Sequence, residues 1–310
     1  MNTQSNTLPG SLDGSQGSPS AVLPATRPMY WSLRREFWEN RSIYIAPLAA
    51  AAVFLFGFLI STITLPHRME ATLALDPEKQ REAIQHPFAI AAGLLMVTQM
   101  LVGIFYSLDA LHGERRDRSI LFWKSLPVSD FTTVLAKAAI PIAFLPLFTF
   151  VLTMATQLIM LLLSSVVLVA SGRGLTGLWT QLSWFQMSSG LLYHLVTVHA
   201  LWHAPIYGWL LLVSGWARRM AIVWAVLPPL AVGVIEKIAF NTSHFGNLLG
   251  VRLSGPEVYS FNVPGSMQMD PMIAMSYLRF LSTPGLWIGL ALTGAFLAAA
   301  VQLRRYRGPI

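Results

Sequence analysis

Six apolar runs, each long enough to cross a bilayer, govern what this chain can become. They cover roughly residues 43–65, 88–109, 138–170, 191–214, 220–240 and 285–303. A helix needs about 20 apolar residues to span the hydrocarbon core, and lipid offers the backbone no hydrogen bonds, so runs like these must be helical. Of the 310 residues, 54% are apolar and 11% are charged. A soluble domain carries about 25% charged residues, so a water-soluble fold of this size would lack the charge to cover its surface. The fold class expected is all-α, a polytopic membrane protein with six transmembrane helices. The third run is overlong for one span, and Pro141 and Pro146 are placed to bend it. Pro205 should bend the fourth run, and Pro228 with Pro229 the fifth.

The net charge of +7 reports loop topology here rather than nucleic-acid binding. With the N-terminus inside, the inner stretches hold Arg27, Arg34, Arg35, Arg41, Arg115, Arg116, Arg118, Lys124, Lys137, Arg218, Arg219, Arg304, Arg305 and Arg307, fourteen in all. The outer stretches hold seven: Arg68, Lys79, Arg81, Arg173, Lys237, Arg252 and Arg279. The excess inside predicts both termini in the cytoplasm, which six spans allow. There is no cysteine, which excludes disulfides, thiolate catalysis, Fe–S clusters and cysteine zinc sites.

Residues 1–28 are rich in Ser, Gly, Pro, Asn, Gln and Thr. They read as a disordered cytoplasmic tail, without the basic start and apolar run of a signal peptide. Residues 30–41 (YWSLRREFWENR) follow. On a helical wheel Tyr30, Trp31, Leu33, Phe37 and Trp38 share one side, with Ser32, Arg35, Glu36 and Glu39 opposite. Arg34 and Arg41 fall on the apolar side, from which they can snorkel to headgroups. The segment reads as an interfacial amphipathic helix or as an aromatic flank of the first span. The longest outer loop, 241–284, is expected to form short helices that dip toward the bilayer.

Three patterns fail on context. Gly172-Arg-Gly174-Leu-Thr-Gly177 is a formal GxGxxG, but it follows a membrane helix instead of a strand. Leu253-Ser-Gly-Pro-Glu257 is similar to half of an ABC ATPase signature, yet no GxxxxGK[ST] occurs in the chain. The chain is therefore not expected to hydrolyse ATP, nor to be an enzyme. Asn241-Thr-Ser243 is a formal glycosylation sequon and no more.

Three features inside the spans bear on function. On an ideal wheel His199 and His203 lie about 40° apart, while His194 is about 180° from His203. The first two are spaced to chelate a metal or to ligate haem; the alternatives are neutral imidazoles packed between helices, or a pH-sensing or transport role. The absence of HExxH removes the usual base of a zinc protease. In the third span Thr149, Thr153, Thr156, Gln157 and Ser164 form a polar stripe within about 100° of the wheel. Such a stripe either bonds across a helix contact or lines a translocation path. Glu236 beside Lys237 reads as an interfacial ion pair or anchor, or as an outer gate.

The most informative stretch joins the second and third spans. Charge is dense from Glu114 to Arg118, an apolar run follows from Ile120 to Trp123, Pro127 stops any helix, and Ser129 or Asp130 can cap the next one. A short amphipathic helix is implied, with apolar side chains that favour headgroups or a partner protein, and charges that orient the contact. A solvated basic loop is the alternative.

Glu114-Arg-Arg-Asp-Arg-Ser-Ile-Leu-Phe-Trp-Lys-Ser-Leu-Pro-Val-Ser129 resembles the first cytoplasmic loop of type 2 ABC transporter permeases. In that family a glutamate, a small hydroxyl residue and a Leu-Pro-(apolar)-Ser ending recur before the third span. Leu201-Trp-His-Ala-Pro-Ile-Tyr-Gly-Trp-Leu-Leu-Leu-Val-Ser-Gly-Trp-Ala-Arg-Arg219 resembles a bacterial subgroup of the same permeases. The likeness covers about residues 30–307, and the loop before the last span is long for the family.

The resemblance implies a permease domain over 29–310 in a bacterial inner membrane. This membrane subunit of an ABC exporter would pair as a homodimer or heterodimer and bind two copies of a separate ATPase. The chain itself would carry no cofactor; ATP and Mg would belong to the partner. The short helix after Glu114 would be the coupling helix, with Glu114, Arg115, Arg116, Asp117, Arg118, Phe122 and Trp123 as coupling residues. Thr149, Thr153, Thr156 and Gln157 would line the translocation path. Two rival readings remain open: a histidine-ligated membrane redox or metal protein, and a non-transporting polytopic scaffold.

Overall fold

The computed structural model describes residues 26–172, 174–182, 184–255 and 280–307, and every element among them is helical. The tail 1–25 therefore lies outside the described residues. The first helix, α1 (Thr26–Glu39), starts just inside the segment read as tail.

The first span is α2 (Ser42–Ser61), a 3-10 turn at Thr62–Thr64 and α3 (Leu65–Leu73). The second is α4 (Pro77–Asp109). Two short helices follow, α5 (His112–Arg116) and α6 (Ser119–Lys124). The third span is α7 (Asp130–Ala139), a π-helical turn at Ile140–Phe144 and α8 (Leu145–Ala170). Next come α9 (Thr176–Gln181), α10 (Trp184–His194), a π-helix at Leu195–Trp202 and α11 (Ala204–Trp216). The chain ends with α12 (Ala221–Phe240), α13 (His244–Ser254) and α14 (Pro284–Tyr306).

Five stretches are long and apolar enough to cross a membrane: Ser42–Leu73, Pro77–Arg116, Asp130–Ala170, Ala221–Phe240 and Pro284–Tyr306. The pair Trp184–Trp202 and Ala204–Trp216, bent by 42°, makes a sixth if counted as one span. The bend falls where Pro205 leads into α11. In the third span the wide turn contains Pro141, whose missing N–H cannot continue an α-helical ladder. By contrast, α12 runs unbroken through Pro228 and Pro229.

The connection before the third span splits at Arg118, whose φ of 59° lies in the left-handed region. One coupling helix was expected; two helical turns stand there instead. Pro127 does end the segment, and Ser129 caps α7 by accepting from the Thr132 N–H at 3.1 Å.

Among the apolar clusters of the described residues, two mark the ends of the bundle. One, at the end carrying α1, gathers Ile43, Tyr106, Ala138, Ile140, Leu145 and Leu211, with Leu33 and Phe37 of α1 packed against it. The other, at the opposite end, joins Met69, Ile84, Phe88, Met160, Leu168 and Leu178. Helices α11 and α14 pack against each other at Gly208, where an added Cβ would just reach van der Waals contact, 3.4 Å from the Thr293 Cα. α12 buries only Ala221 and Ala225, and α13 buries nothing.

The loop 241–284 contains α13, a short helix as expected there, while 256–279 lies outside the described residues. The end of α13 is tied back to the bundle. Trp202 Nε1 donates to the Val251 carbonyl at 3.1 Å, and Arg252 donates to the Gly285 carbonyl at 2.7 Å. The start of α13 is held by Glu236, which accepts from Thr242 Oγ1 (2.7 Å) and from the N–H groups of His244 (2.7 Å) and Phe245 (2.8 Å). Glu236 thus serves as a cap for the next helix.

Candidate functional site

A buried ionic cluster occupies the end of the bundle that carries α1. Its centre is Glu114, on α5 and 6% exposed. Three cations from three helices converge on that carboxylate. Arg35 of α1 and Arg304 of α14 pair with its two oxygens, and Lys137 of α7 lies 3.2 Å from Oε1. Lys137 also donates to Glu36 Oε1 at 2.8 Å, and Tyr106 of α4 donates to Glu36 Oε2 at 2.8 Å. Arg304 reaches Asp130 at 3.0 Å, and Arg35 reaches Glu39 at 3.0 Å. Burial works against the Arg35 charge. The Glu39 hydrogen bond and the Glu114 and Glu36 charges outweigh it, so its pKa rises above the ordinary arginine value.

Such a cluster is stable only as a complete set. Each buried charge has lost its water, and only its partners compensate. Five helices are locked together as a result: α1, α4, α5, α7 and α14. The backbone of α5 is fixed as well. The N–H groups of Leu111 and His112 donate to Ser214 Oγ at 2.9 and 2.8 Å. Arg115 donates to the carbonyls of Gly215 (2.7 Å) and Ala217 (3.1 Å) at the end of α11.

This divides the residues expected to couple. Glu114 and Arg115 point inward and are used within the chain. Arg116, Asp117 and Arg118 are exposed, and Arg116 pairs with Asp117 at 3.0 Å and Asp109 at 3.6 Å. Leu121 and Phe122 stand out from the surface, 59% and 61% exposed, above the buried Ile120. Trp123 is half-buried, and its ring carries the Arg35 guanidinium at 3.6 Å. The α5–α6 knob therefore has an apolar tip and a charged root.

The wheel of α1 turns out differently from the sequence expectation. Glu36, placed there on the polar side, is 1% exposed, whereas Tyr30, Trp31 and Trp38 are 59%, 57% and 70% exposed. Leu33 and Phe37 do pack inward. Glu36 goes in because Lys137 and Tyr106 wait for it. A lone lysine at the head of a long apolar run was the available sign that some carboxylate had to be buried beside it.

The polar stripe of the third span faces inward. Thr149, Thr153, Thr156, Gln157 and Ser164 are all buried. Gln157 Nε2 donates to the Phe88 carbonyl of α4 at 3.0 Å, and Thr156 returns its hydroxyl to Leu152 at 2.8 Å. Gln157 thus ties α8 to α4, while the Thr149 and Thr153 hydroxyls find no partner among the described residues.

The histidines are arranged in a way an ideal wheel does not give. The π-helix widens the turn from 195 to 202 and brings all three into one column, with neighbouring rings tilted 58° and 68° to each other. Ring centroids are 5.3 Å apart for His194 and His199, and 5.4 Å for His199 and His203. His203 Nε2 lies 3.2 Å from the Leu253 carbonyl, while Nδ1 of His199 and of His203 find no partner among the described residues. No group of three or more His, Asp or Glu among the described residues is gathered closely enough to hold a metal. Of the Gly-rich motif, Gly172 (φ 70°) sits in a turn after α8, and Arg173 lies outside the described residues. Of the half-signature, Leu253 and Ser254 end α13, and Pro256 and Glu257 lie outside the described residues.

Compared with known proteins, the chain matches no family model, no curated protein and no solved structure.

Proposed function

We propose that this chain is the membrane subunit of an ATP-driven exporter of the type 2 ABC permease kind, working as a dimer with a separate ATPase docked on the α5–α6 knob. The supporting observation is the build of that knob: an exposed apolar tip at Leu121 and Phe122 on a root held by Arg35, Lys137 and Arg304 through Glu114. A partner that moves the tip must move the root. The root is joined to the third and last spans and to α1, so force enters the bundle at one place and spreads to several helices. The resemblance of the 114–129 stretch to the family's coupling loop favours an ATPase as that partner. Fold alone would not carry this step.

In this reading the α1 end faces the cytoplasm, in line with the excess of Lys and Arg on that side. The weakly buried α12 offers a surface for a second copy. The path then runs between the two copies, and the stripe of the third span serves packing within each. ATP binding shifts the equilibrium between two arrangements of the pair, through the ATPase's different affinity for each.

Co-purification with an ATPase encoded beside this chain tests the proposal. Phe122→Asp should abolish retention of the ATPase and its stimulation while the membrane subunit stays monodisperse. Full retention with unchanged stimulation would overturn the assignment. Labelling that places residues 119–124 across the membrane from the ATPase would do the same.

A further inference from the structure

A groove runs between α1 and the segment from α6 to α7. It encloses about 380 Å3, with Trp31, Arg34 and Trp38 on one wall and Trp123, Leu126 and Val128 on the other. The two arginines along it differ. Arg35 is committed to Glu39 and Glu114. Arg34 has no carboxylate among the described residues, and its guanidinium lies 5.1 Å from the Trp31 ring centroid and 4.8 Å from that of Trp38. Stacking on two rings orients this cation but leaves its charge unanswered.

The groove adjoins the start of the first span, two residues beyond α1. Tryptophan and arginine at that level belong to the headgroup zone of a bilayer. An occupant must therefore bring one anionic group and an apolar body. An acidic peptide would meet a single free cation, the Arg35-paired Glu39 carboxylate that also lines the groove, and walls that are otherwise mostly apolar, a poor match for several carboxylates. We infer that the groove is a binding site for an anionic phospholipid, with its phosphate on Arg34 and an acyl chain laid between Trp38 and Trp123. Because the Trp123 ring also carries Arg35, the lipid braces α1 against α6 at the edge of the ionic cluster. The inference does not require an ATPase partner.

The test is native mass spectrometry of the delipidated full chain, titrated with phosphatidylglycerol and, separately, phosphatidylcholine. One guanidinium near a membrane surface favours an anionic lipid by roughly fivefold, so one phosphatidylglycerol should bind about that much tighter than phosphatidylcholine. Arg34→Gln should erase the preference, and Arg41→Gln, outside the groove lining, should keep it. Val128→Trp, which fills the groove and leaves the charge, should remove the bound lipid as well. Millimolar inorganic phosphate should not displace it. Equal binding of the two lipids, a preference that survives Arg34→Gln, displacement by phosphate alone, or loss of a protein partner instead of lipid on Arg34→Gln would each overturn the inference.

Discussion

The charged end of the bundle and its middle solve opposite problems. At the charged end, Glu36, Glu114, Lys137 and Arg304 are all at most 6% exposed, and each meets at least one opposite charge. In the middle, Gln99, Thr149, Thr153, Gln157, His199, His203 and Tyr207 each bury a polar atom with no hydrogen-bond partner among the described residues. A complete network in low dielectric specifies one arrangement, because any displaced member is left uncompensated. A set of unanswered donors and acceptors favours no arrangement over another. The contrast teaches where each property belongs. The end that is proposed to receive force is stiff, whereas among these middle side chains only Gln157 and His203 bond to another helix, each through a single ring or amide nitrogen.

The largest effect should come from breaking the stiff end. Glu114→Gln keeps the shape and removes the charge that answers Arg35, Lys137 and Arg304. Removing one partner of a buried ion pair typically costs about 3–5 kcal/mol. A fall of that order in unfolding free energy, read by thermal or denaturant unfolding in detergent, is expected. A loss below about 1 kcal/mol, the range of a surface pair, would mean the cluster is solvated and the contrast false.

A middle-sized effect should appear on α4 at the border of the two regions. Gly103 lies between Gln99 and Tyr106, and a Cβ there would sit 2.9 Å from Cε1 of the Tyr207 ring. That ring is 1% exposed and cannot swing aside. Gly103→Ala should therefore destabilise by about 1–3 kcal/mol through overpacking. Gly93→Ala, which meets nothing within 4 Å, is the control and should be neutral or slightly stabilising in the same assay.

How much of this could be read from the sequence differs between the same two regions. The spans were legible because hydropathy over 20 residues leaves few alternatives. The stop at Pro127, the Ser129 cap and the break before Pro205 were legible because those residues act on the backbone beside them. The ionic cluster was not, since its members are spread from Arg35 to Arg304 and meet only through tertiary packing. Taken alone, the wheel of α1 sent Glu36 to water, and the partners that hold it inside, Tyr106 and Lys137, come 70 and 101 residues later. The histidine column escaped for a different reason. A wheel drawn at a constant angle per residue assumes the regular helix that residues 195–202 abandon.

The smallest effect, and the one of opposite sign, concerns Gln99. Its side chain is fully buried, and neither its amide nitrogen nor its oxygen finds a partner among the described residues. An unanswered buried polar group costs about 1–3 kcal/mol. Glutamine to methionine keeps length and flexibility while removing both polar atoms. The gain is limited because the methionine must still fit the same space, so Gln99→Met should stabilise by about 1 kcal/mol. The measurement is the unfolding midpoint, taken beside Glu114→Gln under one set of conditions. Opposite shifts would establish that one end is held by its polar groups and the middle in spite of them. If Gln99→Met instead destabilises by more than about 1 kcal/mol, the amide is held by a group from outside the chain, and the interior is pinned as firmly as the charged end.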